Sequence, residues 1–295
     1  DDVLPNLVDM LSDDTYLASA ALTAIDYARL LDRVGAGEPS TDRLLALYSR
    51  HDLDRNAERV LTEILRGRND PRVRAAFIDR LDRVPATRKA LALYGLGSVG
   101  EPGDLGIVLK CLSVRDPDVR VGAINTLHEL GNTAALPQLI EALADKNDRV
   151  QRAAVRALGG LADPASEPHL RSLAQAIDIS DGLLVDALTA LGGFRKTESL
   201  PVIMNAAGRG GDVAAAAIGA VAKIGGPGTV DFVLAYLSSS DIRARDAALE
   251  ELHDLKPSMS PDIFESSLRS QDIRVRIATF TGYVRGLGRV ERVIL

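Results

Sequence analysis

At 295 residues the chain has room for one or two domains, each with its own core. Its residues are 46% hydrophobic but only 4% aromatic, with no Trp, so the apolar mass is Leu, Ala, Val and Ile, which suits thin helix-on-helix layers rather than a deep globular core. Lys and Arg number 35 against 41 Asp and Glu, and the net charge of −6 argues against a general nucleic-acid or anionic-membrane surface, because counterion release needs a basic face.

From the N-terminus, Leu4, Leu7, Val8 and Leu11 recur at i, i+3, i+4 and i+7, one stripe of a 3.6-residue helix, called here an A helix. Leu17, Ala21, Leu22 and Ile25 follow a second pattern, i, i+4, i+5 and i+8, called a B helix. A long loop, "GAGEPST" at 35–41, comes next, and residues 36–84 are irregular. Within them Arg72-Val73-Arg74-Ala75-Ala76 resembles the start of a B helix where the alternation requires an A. Eight basic residues (Arg66, Arg68, Arg72, Arg74, Arg80, Arg83, Arg88 and Lys89) stand against Asp70, Asp79 and Asp82. They read either as a solvated helix face with local ion pairs or as a docking patch for an acidic partner.

Ala92, Leu93, Leu96 and Val99 open a regular series. A stripes begin at Leu105, Leu136, Leu170, Leu200 and Val230, the third running Leu170, Leu173, Ala174, Ile177. B stripes alternate with them, now with a fifth member at i+11: Val119, Ala123, Ile124, Leu127, Leu130, then equivalent sets from Val150, Leu183, Val213 and Ala244. Gly131, Gly159, Gly192 and Gly225 close the B stripes as left-handed C-caps. Pro137, Pro168, Pro201 and Pro227 mark the starts of A helices, and Asp70-Pro71 and Asp116-Pro117 read as an N-cap followed by an N1 proline. The last unit, 257–295, is degenerate. Each A–B hairpin has an apolar stripe it cannot bury alone, so restating the hairpin lets neighbours bury one another.

Units of the type "DPDVRVGAINTLHELG…ALPQLIEALAD" resemble the short bacterial and archaeal HEAT repeats, including those of the phycobilisome-lyase-like group. The resemblance covers 105–255 well and the flanks weakly. It implies an all-α, right-handed α-solenoid of about nine antiparallel helix hairpins, with residues 1–295 forming one elongated domain. It specifies a fold rather than an activity, since the repeat serves scaffolds, adaptors, lyase subunits and a few enzymes.

Enzyme chemistry finds little support in the residues. The diiron deoxyhypusine hydroxylases of this repeat class use several His-Glu pairs, whereas only His128-Glu129 has that form here. The HEAT-like alkylpurine DNA glycosylases use aromatic side chains, an Asp and a basic groove, which this Trp-free acidic chain does not match. No catalytic triad is legible from four scattered histidines. "GRGGD" at 208–212 and "IGGPGT" at 224–229 lack the strand and lysine of a phosphate loop and read as inter-helix turns. No cofactor or metal is expected. Cys111, the lone cysteine, excludes an internal disulfide and is expected as a buried thiol. No apolar run spans a bilayer. The chain begins at Asp1 and reads as a processed chain or an excised fragment, with the cytoplasm as default compartment.

On the B helices, the face opposite the stripe falls at i+2 and i+6. By resemblance these positions line the concave side of the solenoid. The partner-binding ridge is therefore expected at Tyr94, Val121, Asn125, His128, Arg152, Arg156, Thr189, Asp246 and Glu250, flanked by Ala90, Val185, Ala215 and Gly219. The expected function is a non-enzymatic scaffold or adaptor gripping a protein, with a bilin-lyase-type subunit or chromophore-handling chaperone as the alternative. The apolar end "RVERVIL" suggests continuation into further repeats or self-association.

Overall fold

The structure, a computed structural model, describes residues 15–27, 40–50, 52–237, 239–255 and 261–286. Among them all regular structure is helical, with A and B helices alternating and the A helices short except at Pro71–Arg83. The first A stripe (Leu4 to Leu11), most of the 35–41 loop and the segment 287–295 lie outside the described residues.

Two compact units divide the chain, 1–142 and 143–295. In the first, the B helices are α1 (Thr15–Tyr27), α3 (Arg55–Arg66), α5 (Ala86–Val99) and α7 (Pro117–Glu129); the A helices are α2 (Thr41–Tyr48), α4 (Pro71–Arg83), α6 (Leu105–Cys111) and α8 (Leu136–Glu141). In the second, the B helices are α9 (Asp148–Leu161), α11 (Asp181–Phe194), α13 (Gly211–Ile224), α15 (Ile242–Leu255) and α17 (Ile273–Gly286). Their A partners in that unit are α10 (Glu167–Ala174), α12 (Leu200–Ala206), α14 (Thr229–Tyr236) and α16 (Pro261–Leu268). Within each unit every B helix packs on the next one in chain order.

The first four members of the B stripes form the core. Val119, Ala123, Ile124 and Leu127 are buried, as are Val150, Ala154, Val155 and Leu158, and the sets from Leu183 and Val213. The fifth members, Leu130, Leu161, Phe194 and Ile224, lie at helix ends and are half-buried. The A pattern fails at one place. The α10 helix stops at Ala174, and Ile177 stands in the following turn with 95% of its surface exposed, while Ile179 turns inward instead.

Capping chemistry sets the helix starts. Asp70 and Asp116 accept hydrogen bonds from the backbone N–H groups of Arg72 and Asp118, each 2.9 Å, with proline in the first turn of both helices. Pro137, Pro168 and Pro201 occupy the first turns of α8, α10 and α12. Two of the four glycines expected as left-handed caps do another job. Gly131 and Gly225 do have positive φ (62° and 69°), but Gly159 and Gly192 lie inside their helices, and the left-handed residues there are Ala162 and Arg195. A Cβ on Gly159 would meet Ala190 at 2.8 Å, and one on Gly192 would meet the Ala220 Cα at 2.8 Å, so these glycines let neighbouring B helices approach closely.

The irregular 36–84 region has its own physics. The α4 helix has 13 residues where its A counterparts have 6–8. It carries Phe77, packed edge-on to Tyr48 with ring centroids 5.3 Å apart, and Arg80, whose side chain is 3% exposed and paired with the equally buried Glu58. Polar side chains also stitch successive repeats: Arg74 to Asp104, Ser180 to Asp148, Ser199 to Glu167, and the Gly211 N–H to Asp241.

Candidate functional site

The B-helix positions expected as a ridge divide into two classes. Of those at i+6, Tyr94 and Asn125 in the first unit and Arg156, Thr189 and Glu250 in the second are open, while Gly219 is half-buried. Those at i+2 largely belong to the seam between neighbouring B helices. Ala90, Val121, Val185 and Ala215 are half-buried. A Cβ on Gly122 of α7 would lie 3.5 Å from the Ala90 Cα and 3.3 Å from Leu93 of α5. Positions i+2 and i+5 of one B helix therefore abut position i+3 of the next. Asp246, also at i+2, is exposed.

Arg152 is partly exposed and held to the next helix: its Nε donates to Asp186 Oδ2 of α11 at 2.7 Å, and its guanidinium would sit 3.2 Å from a Cβ on Gly182. That hydrogen bond raises the Arg152 pKa above its ordinary value. Arg156 lies 3.8 Å from the same carboxylate oxygen and donates to the Arg152 carbonyl, leaving an exposed but loosely neutralised cation. The pair is an inter-repeat clasp with one outward arm. A sequence cannot show this, because Asp186 is 34 positions from Arg152.

Tyr94 is 38% exposed, the one large hydrophobic side chain of the first unit open to that degree among the described residues. The Arg66 guanidinium lies 3.9 Å from its ring centroid. Burial and a hydrogen bond with Glu63 push its hydroxyl pKa up. Glu63 stands at i+6 of α3, thirty-one residues before Tyr94, so it continues the same row. The α3 member of the row is hidden in the sequence because its stripe starts at Ala57 and places a polar residue, Thr62, at i+5, where the other B helices have an apolar one. Thr62 is buried with its hydroxyl donating to the Glu58 carbonyl at 2.8 Å. His128 is exposed at i+9, the position that is glycine in α5, α9 and α11.

The basic run of 66–89 is largely neutralised from within. Arg72 pairs with Asp42 and Asp70, Arg74 with Asp104 and Glu101, Arg80 and Arg88 with Glu58, and Arg83 with Asp79. A cleft lined by Arg66, Arg68, Arg74, Asp70 and Glu101 carries both signs of charge. This is the local ion-pair face, and the structure offers no unopposed patch there for an acidic partner. Cys111 is buried, and burial raises its thiol pKa, as befits an inert side chain. Among the described residues no group of three or more His, Cys, Asp or Glu could hold a metal, and no helix is long and apolar enough to cross a membrane.

Residues 105–181 match the family of HEAT repeats. The repeat is of the HEAT type, and the fold is that of the α-solenoid HEAT proteins. No curated protein matches in sequence. A homology model of the full-length AP-3 complex in an intermediate open conformation aligns with a TM-score of 0.66 at 15% identity, over 95% of this chain and 56% of that one. The crystal structure of Kap121p bound to Ste12p aligns with a TM-score of 0.63 at 14% identity, over 96% of this chain and 36% of that one. The chain thus spans about half or less of these neighbours' lengths. The CpcE–CpcF complex of phycocyanin lyase from Nostoc sp. PCC7120 aligns with a TM-score of 0.47 at 17% identity, over 86% of this chain and 95% of that one, a likeness too low to carry an argument.

Proposed function

We propose that the chain is a protein-binding scaffold, and that each unit offers a partner the i+6 row of its own B helices: Glu63, Tyr94 and Asn125 in the first, Arg156, Thr189 and Glu250 in the second. One observation carries this reading. The same helical position is exposed on two consecutive B helices of the first unit (Tyr94, Asn125) and on three B helices of the second (Arg156, Thr189, Glu250), whereas most other faces of those helices are taken up by the core and the seam. Tyr94, partly exposed and backed by Arg66, is the side chain of the row best suited to anchor an interface. The row is chemically mixed, with two carboxylates (Glu63, Glu250) against one guanidinium (Arg156), which favours a folded or extended protein segment over nucleic acid. A structural neighbour, Kap121p, is bound to a protein in its crystal structure. The lyase alternative rests on the repeat resemblance, and no residue of this chain favours it.

The test compares affinity capture from the native host by the wild-type chain and by two variants, Tyr94→Ala/Asn125→Ala and Arg156→Ala/Thr189→Ala, with bound proteins identified by mass spectrometry. At least one protein held by the wild type should fall about tenfold or more with one variant while the thermal midpoint is unchanged. Equal capture by all three refutes the row.

A further inference from the structure

The turn after α10 is built unlike those after α8 and α12, the A helices before and after it. Those two are prolonged by a short 3₁₀ turn, at Ala142–Ala144 and Ala207–Arg209, whereas none follows Ala174. Instead the chain swings so that Ile179 is buried, and Arg209 fixes the turn from the next A–B junction. Its Nη1 and Nη2 each donate to the Ile179 carbonyl at 3.2 Å, and the guanidinium pairs with Asp181 of α11. Ile177 is thereby held out in water. Beside it, wholly within the second unit, α10, α11 and α12 enclose a cleft of about 440 Å³, the size of a small-ligand site. The lining residues Ala174, Leu184 and Ala206 are buried and floor it, while Gln175, Ile177 and Asn205 are exposed and form its rim. The carboxamides of Gln175 and Asn205 make no hydrogen bond to any described residue. Arg209, the one charged residue of the lining, is taken up by its own turn.

We propose that this cleft binds a short, extended, uncharged peptide segment of another protein, its backbone held by Gln175 and Asn205 and an aliphatic side chain seated against Ile177. The occupant follows from the donors and acceptors. A carboxamide presents an acceptor beside two donors, so it pairs with the N–H and the C=O of a peptide together, which neither a carboxylate nor a guanidinium does. An extended segment turns successive side chains to opposite sides, so one reaches the apolar floor while the next faces solvent. Seating it removes Ile177 and the floor from water, the favourable term of such a contact. With Arg209 neutralised, the cleft has no cation to meet a phosphate or a carboxylate. The site lies apart from the i+6 row of the B helices and stands whether or not that row takes a partner.

Selection from an unbiased library of linear peptides displayed on phage, with the full chain as target, tests this. The best peptide is then synthesised with acetylated and amidated ends and titrated. The selected peptides should share an aliphatic residue and require no charged one. Affinity should fall about tenfold or more in Ile177→Asp and in Gln175→Ala/Asn205→Ala, with thermal midpoints unchanged because all three side chains are exposed. Tyr94→Ala/Asn125→Ala should bind as the wild type does. In amide NMR spectra the side-chain NH₂ signals of Gln175 and Asn205 should shift during the titration. The proposal is overturned if no selected peptide responds to both cleft variants, or if binding requires a charged residue. N-acetyl-leucinamide binding as tightly as the peptide would make this a small-amide site and also overturn it. Loss confined to Tyr94→Ala/Asn125→Ala would support the row and overturn the cleft.

Discussion

Arg80 of α4 and Glu58 of α3 form an ion pair withdrawn from solvent, with Arg80 Nη2 2.6 Å and Nε 3.1 Å from Glu58 Oε1. The remaining guanidinium nitrogen, Nη1, donates to the Tyr48 and Arg50 carbonyls at 2.6 and 2.8 Å, so one side chain ties together α2, α3 and α4. Such a pair is costly to desolvate and costlier to break.

Glu58→Ala or Arg80→Ala should each destabilise the first unit by about 3–5 kcal/mol, since each leaves a buried charge unmet. Glu58→Leu combined with Arg80→Met should recover much of that loss. Urea unfolding of the three variants checks this; equal losses for singles and double would show that packing, not charge, dominates.

Truncating the core stripe gives a second expectation. Leu127 and Leu158 are at 0% exposure, and Leu→Ala at either site should cost about 2–5 kcal/mol. A chemical-denaturation shift under about 0.5 kcal/mol would contradict their place in the core.

Two adjacent glycines of α11 should respond with opposite signs. A Cβ at Gly192 meets the Ala220 Cα at 2.8 Å and Cβ at 3.0 Å, while one at Gly193 meets nothing within 4 Å. Gly192→Ala should destabilise by about 1–3 kcal/mol through overpacking. Gly193→Ala should stabilise by about 0.5–1 kcal/mol, because alanine loses less backbone freedom in a helix. Thermal midpoints of the pair decide it.

Acid stability should follow the capping aspartates. The Gly211 N–H, with those of Ala244 and Arg243, holds the Asp241 carboxyl below the ordinary range, and the Arg274 N–H and side chain do the same for Asp272. At Asp104 burial acts to raise the pKa, but Arg74 and the Glu101 N–H together lower it. A carboxyl depressed in the folded state contributes stability that is fully present above its unfolded pKa and is lost as pH falls through its folded one. Urea midpoints should therefore drop as pH descends from the ordinary carboxylate range, and Asp241→Asn should flatten that decline. An unchanged slope would remove Asp241 from this role.

The sequence shows most clearly what depends on period. Val119 to Leu127 and Val150 to Leu158 announce their burial because apolar side chains recur at helical spacing, and Asp116-Pro117 announces a helix start because its chemistry is local. Contacts with distant partners are hidden. Gly159 and Gly192 look like caps from their place after an apolar stripe, since nothing nearby reveals the helix that crowds them. Arg152 looks like a free ridge cation until Asp186 is found beside it. Ile177 follows the A pattern, but a stripe does not say where a helix stops. Of the expected ridge, the i+6 members stand open, while most i+2 members are drawn into the seam by the lateral packing of B helices, a property of pairs rather than of one helix.

The stitches between repeats have a consequence for how such a chain lengthens. Arg74 reaches Asp104 over 30 positions, Ser180 reaches Asp148 over 32, Ser199 reaches Glu167 over 32, and Gly211 reaches Asp241 over 30. Each bond closes a loop of nearly the same modest size, so no single closure dominates the entropy of ordering. Duplicating or excising one whole hairpin keeps these donors and acceptors in register, whereas gaining or losing a few residues inside a helix misaligns them. Growth in whole-repeat steps is therefore the change this architecture tolerates best.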